Sequence, residues 1–132
     1  MISQDELKEK TIELAPEHID LIVVFGSQAR GTATEMSDLD IAIGASGLDR
    51  HERFDLRLRA ISQFEGPLQD VDVVLMQDIN WTLKYRIARD GKVLYDRTGN
   101  EWAYFVERVL KYYPDYRIFE ERFLKESLEG AR

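Results

Sequence analysis

The apolar run Ile19–Phe25 predicts a buried strand, and Gly26-Ser27 breaks it into a short turn or helix through Gly31. Over Leu39–Ala45 the pattern becomes a strict alternation. It predicts a second strand with Leu39, Ile41 and Ile43 on one face. The opposite face carries Asp38 and Asp40 with Ala42 and Gly44, so two carboxylates stand over small residues that leave room, a pocket wall in outline. Upstream, Ser3-Gln4-Asp5-Glu6 has the capping-box pattern and predicts a first helix over about residues 4–15, stopping near Pro16. Downstream, Phe54, Leu58 and Ile61 recur about one helical turn apart. They predict an amphipathic helix over 49–65 that ends before Gly66-Pro67.

A third strand is expected over 70–76, a helix over roughly 79–89 that stops at Gly91, and a short strand over 92–95. Two further helices, 101–113 and 116–128, are expected on either side of Pro114. This order of elements implies an α/β fold built on one sheet. The chain shows no repeat or low-complexity stretch, and its three prolines punctuate rather than form a linker. The expected organisation is one domain over 1–132: an N-terminal helix in 1–18, sheet and helices in 19–98, and C-terminal helices in 99–132.

Length and charge narrow the function. A chain of 132 residues buries a real core but is too short to add a separate substrate-binding domain, so a large acceptor must bring its own scaffold. The absence of cysteine removes disulfides, thiolate metal sites and cysteine nucleophiles, and agrees with a reducing, cytoplasmic setting. The charged start MISQDELKEK lacks an apolar h-region, and no apolar run is long enough to cross a bilayer, so no membrane partner is expected. A net charge of −7 repels polyanions and disfavours nucleic acid as a direct partner. A mononucleotide stays compatible, because bound divalent cations reverse the local sign of a carboxylate-lined pocket.

The candidate chemistry lies in an ordered set: Gly26-Ser27, then Ser37-Asp38-Leu39-Asp40, then Asp72 within Val71-Asp72-Val73-Val74. A carboxylate inside an apolar strand is costly unless a cation or hydrogen bonds compensate it. The bland alternative is that Asp72 faces solvent at a sheet edge. If the third strand lies beside the second, Asp72 faces Asp38 and Asp40, and three hard oxygen donors suit Mg²⁺ ions that keep waters and bind substrate phosphates. Gly26 lets backbone approach a phosphate, and Ser27 with the following N–H groups can donate to it. Gly26-Ser27-Gln28-Ala29-Arg30-Gly31 is neither a Walker A loop nor a GxGxxG fingerprint. His18 and His51 have no ligand spacing and are assigned no role. Arg53, Arg57 and Arg59 read as a solvated helix face, and the aromatics Trp81, Trp102, Tyr104, Tyr112, Tyr113 and Tyr116 as core packing first, partner interface second.

A GS pair at a strand end, SDxD opening the next strand and a later lone strand aspartate together resemble the polymerase-β-type nucleotidyltransferase superfamily. The stretch GSQARGTATEMSDLDIAIG is most similar to its minimal nucleotidyltransferases, with the close match over roughly residues 20–76. The resemblance implies a polymerase-β-like fold, a mixed sheet flanked by helices, and transfer of AMP from ATP to a hydroxyl with release of pyrophosphate. It implies that Asp38 and Asp40 bind two Mg²⁺ ions and that Asp72 binds the nucleophile-side metal and helps remove the acceptor proton. Gly26 and Ser27 would hold the triphosphate, with Arg30 and Ser37 as further phosphate contacts.

Three acceptor readings follow. The first is protein AMPylation, since single-domain members of the resembling family commonly act as antitoxins that adenylylate a tyrosine of a helical HEPN ribonuclease toxin. The second is a small-molecule, aminoglycoside-type nucleotidyltransferase, with a homodimer or hetero-oligomer building the acceptor pocket. The third is a non-catalytic antitoxin that works by covering its partner.

Overall fold

The computed structural model describes residues 4–26, 38–65 and 70–130. The turn expected through Gly31 lies outside the described residues, as do Ser27, Arg30 and Ser37. The first helix, α1, is Gln4–Leu14, followed by strands β1 (Ile19–Phe25) and β2 (Leu39–Ala45). Helix α2 (Arg50–Phe64), strand β3 (Val71–Leu75) and a 3-10 turn (Met76–Asp78) come next. Helix α3 (Trp81–Asp90), strand β4 (Lys92–Asp96) and helix α4 (Glu101–Gly130) complete the order.

The four strands form one mixed sheet in the order β3-β2-β1-β4. Strand β1 is antiparallel to both β2 and β4, whereas β2 and β3 are parallel. Parallel neighbours need a crossover between them, and α2 supplies it. Alternation in β2 divides the core as the sequence predicts. Leu39, Ile41 and Ile43 pack with Leu7, Leu56 and Ala60 on the α1/α2 side. On the other side Ala42 joins Leu21, Val23 and Ile87 under α3 and α4. The sheet is therefore covered on both faces, and its two central strands are almost entirely apolar.

Local signals set the helix ends. Asp49 and Glu52 form a capping box at the start of α2, with Asp49 accepting from the Glu52 amide at 2.8 Å. Asn80 caps α3 by accepting from Leu83 N–H at 2.9 Å. That cap and the preceding 3-10 turn start α3 later than residue 79.

Two expectations are corrected. In α2 the buried stripe is Leu56, Ala60 and Phe64, while Phe54 and Leu58 are exposed. The periodicity located the helix but not its inner face, because small Ala60 lets the helix approach the sheet. Pro114 does not divide the C-terminal region: α4 runs unbroken past it. Tyr112 lies 5.3 Å from Trp81 and Tyr113 stacks on Tyr85 at 4.2 Å, just before the proline. Beyond it Thr82 donates to Glu120 at 3.2 Å, so α3 holds α4 on both sides of the missing amide.

Candidate active site

Strand register builds the site. Phe25 at the end of β1 pairs with Asp40 in β2, and Asp40 pairs with Asp72 in β3. Paired residues on adjacent strands project to the same face, so Asp40 and Asp72 stand side by side, with Cα atoms on strands about 4.8 Å apart. The Leu39 amide donates to the Asp70 carbonyl at 2.9 Å and holds the starts of β2 and β3 together. Asp38, just before β2, is exposed and borders the segment 27–37.

Gly26 turns the chain immediately after β1 with φ +73°, a conformation that favours glycine. A Cβ at this position would fall on the Asp40 carboxylate. The missing side chain is thus what allows the turn and the carboxylate to occupy neighbouring space.

Asp72 is not buried. Its side chain is 56% exposed on the edge strand, so register rather than desolvation places it at the site. The expected cost of a buried carboxylate therefore does not apply. Arg57, read from sequence as part of a solvated face, donates to the Val73 carbonyl at 2.6 Å and lies 3.8 Å from Asp72. Arg53 instead grips Asp78 at 2.8 Å and the Leu48 carbonyl at 3.0 Å, and Arg59 lies 3.7 Å from Asp55. His18 Nδ1 bonds the Ser46 carbonyl at 2.9 Å, a structural contact, and His51 is exposed.

Among the described residues no three histidine or acidic groups are gathered closely enough to hold a metal ion. Like charges at one site repel unless a cation compensates them. The pair Asp40–Asp72 next to Gly26 nevertheless fits a hard divalent ion, which binds through one or two carboxylates, waters and substrate phosphates.

Residues 9–100 match the family described as polymerase beta, nucleotidyltransferase. The chain belongs to this nucleotidyltransferase family. Its similarity extends to a protein adenylyltransferase, MntA, of Aphanizomenon flos-aquae, 30% identical over 119 residues that cover 80% of this chain and 77% of the relative. In fold it is similar to a toxin–antitoxin crystal structure with AMP-PNP, at TM-score 0.75 and 23% identity, covering 96% of this chain and 99% of the other. A second neighbour is a tri-AMPylated Shewanella oneidensis HEPN toxin in complex with MNT antitoxin, at TM-score 0.68, 22% identity and coverage of 96% and 99%.

Beside the Asp40–Asp72 pair lies a cleft of ≈ 440 Å³ lined by Phe25, Gly26, Asp40 and the α3 residues Leu83, Arg86, Arg89 and Asp90. The two arginines supply positive charge that the motif reading missed. Arg89 is steered by Asp90, which accepts at 2.8 Å and 3.1 Å. Leu83, Arg86 and Asp90 follow helical spacing, so a common face was visible in the sequence, but not that it would overhang Gly26.

Proposed function

We propose that this nucleotidyltransferase moves AMP from ATP to a hydroxyl of a protein partner, a tyrosine of a helical HEPN-type toxin, and so acts as its antitoxin. The carrying observation is the Asp40–Asp72 register pair beside Gly26. The named activity of the 30% identical relative supports protein as the acceptor. The neighbouring HEPN–MNT complex supports the partner class, and the AMP-PNP complex supports ATP. Action in the cytoplasm accords with the cysteine-free composition, and among the described residues no helix is long and apolar enough to cross a membrane.

In this reading Asp38, Asp40 and Asp72 would hold two Mg²⁺ ions, which would supply charge neutralisation at the phosphates and acidify the acceptor hydroxyl. Asp72, the most open of the paired carboxylates, takes that proton as the hydroxyl oxygen bonds to the α-phosphorus. The bond from that phosphorus to the bridging oxygen breaks, and pyrophosphate leaves. Gly26 and Ser27 hold the triphosphate by backbone approach and N–H donation, with Arg30 and Ser37 as further contacts. Arg86 and Arg89 face the same cleft and add cationic contacts for a polyphosphate. Residues 1–132 work as one unit, and the partner supplies the acceptor wall.

A macromolecular partner is also supported by exposed apolar residues along α4. Ile118, Phe119, Phe123, Leu124 and Leu128 all lie open beyond Pro114.

Incubation with ATP, Mg²⁺ and the helical toxin, followed by intact mass measurement, tests the proposal. AMP units should appear on the partner and be absent with Asp40→Asn/Asp72→Asn. A stable complex with no added mass would leave binding alone as the mode of neutralisation.

A further inference from the structure

A second pocket, of ≈ 300 Å³, opens on the same face of the sheet as the active-site cleft. Its floor is Leu21 and Gly44, four residues along β1 and β2 from Phe25 and Asp40. At roughly 3.3 Å per residue this places it about 13 Å from the carboxylates, toward the other end of the strands. The floor is open because Gly44 has no side chain; a Cβ there would meet Leu21 Cβ at 3.3 Å and Met76 Sδ at 3.5 Å.

The walls combine cations and aromatic rings. Lys84 Nζ lies 4.2 Å from the Trp81 ring centroid, and Arg108 lines the same pocket from α4. No ion pair joins either cation to a carboxylate among the described residues. The two acids on the rim have other contacts: Asp20 with Arg97 at 3.4 Å, and Glu101 with the Thr98 hydroxyl at 3.4 Å. Burial, followed by the charge of Arg108, holds the Lys84 ammonium below its usual range. Lys84 and Arg108 thus share a recess whose rim also carries Asp20, engaged by Arg97, and Glu101, and among the described residues neither cation is held in an ion pair. Tyr104, 58% exposed, and Phe105, backed by Trp102 at 5.6 Å, provide flat apolar surface next to them.

We propose that this pocket binds a phosphate monoester carried on an aromatic ring system, of the nucleoside monophosphate class, separately from the catalytic cleft. A phosphate monoester carries nearly two negative charges at neutral pH, matching Lys84 and Arg108. A nucleobase ring matches the aromatic wall, because every base offers a π-face for stacking. The volume is at the small end of ligand sites and suits a mononucleotide rather than a longer chain.

The test is calorimetric titration of the full chain with AMP, without divalent metal, and with adenosine and inorganic phosphate as separate probes. AMP should bind more tightly than either fragment. Arg108→Gln and Lys84→Gln should each weaken AMP at least about tenfold, the usual effect of losing a charged hydrogen bond. Asp40→Asn/Asp72→Asn should leave that affinity unchanged, and unaltered thermal melting of the Arg108 and Lys84 variants would exclude unfolding as the cause. Loss of AMP binding in the aspartate variant but not in Arg108→Gln would assign the nucleotide to the catalytic cleft and overturn the proposal. Absence of binding at millimolar AMP, or equal affinity for inorganic phosphate, would overturn it as well. The proposal does not depend on the acceptor of the transfer reaction.

Discussion

Gly26 and Asp40 constrain each other, since the turn needs positive φ and the carboxylate fills the place of a Cβ. Gly26→Ala should therefore lower stability by about 1–2 kcal/mol from the left-handed backbone alone. Displacement of Asp40 adds to this, and ATP binding should fall more than the melting temperature implies. Denaturant titration beside nucleotide titration separates the two effects. Asp96 shows a different residue-scale device. It accepts from Gly99, Glu101 and Trp102 amides at 2.9, 3.1 and 3.0 Å, capping the start of α4 from outside the helix. Burial opposes ionisation of this carboxyl, but the amide donors outweigh it and hold the group below the usual aspartate range. With a lowered folded value, the contribution is complete above about pH 3.9, the unfolded value, and is lost as pH falls through the folded one. Asp96→Ala should cost about 1–2 kcal/mol at neutral pH, as lost caps do, and should flatten the acid limb of the stability profile. An unchanged acid limb in urea titrations across pH would remove Asp96 from this role.

At the scale of elements, α4 tests how tertiary contacts override a local rule. Proline in a helix interior removes one hydrogen bond and costs up to about 3 kcal/mol. Pro114 is tolerated because Tyr112, Tyr113 and Glu120 tie α4 to α3 on both sides of it. Pro114→Ala should raise the melting temperature, since it restores the amide without touching the anchors. A drop would mean that the proline sets a bend the packing needs. Helix α2 carries the complementary lesson. Its span and period were legible in the apolar spacing, yet Phe54 and Leu58 turned outward. A 3.6-residue period defines a stripe, but Leu56, Ala60 and Phe64 define another, and only the sheet's shape selects between them.

Across the whole molecule, the sheet's α3/α4 face carries two recesses, one at Gly26 and Asp40 with Arg86 and Arg89, the other at Gly44 with the aromatic wall, Lys84 and Arg108 and the rim acids Asp20 and Glu101. Helix α4 extends the molecule further, and Phe119 and Phe123 lie one turn apart on its exposed surface. Burying a phenylalanine contributes about 1.5–3 kcal/mol. If the proposed helical partner docks here, Phe119→Ser/Phe123→Ser should weaken its binding by well over tenfold while leaving nucleotide affinity intact, as measured by calorimetry with each ligand. By itself the sequence determined the strand alternation, the Gly26, Asp38, Asp40 and Asp72 set, and the family resemblance, because these depend on spacing along one chain. Tertiary structure decided that Asp40 and Asp72 share a register and that Asp72 stands on an open edge. It also decided that Arg86 and Arg89 overhang Gly26 and that Pro114 lies within one helix. These depend on which strand lies beside which and which helix face meets the sheet, and long-range packing selects among local patterns that chain spacing leaves equally good.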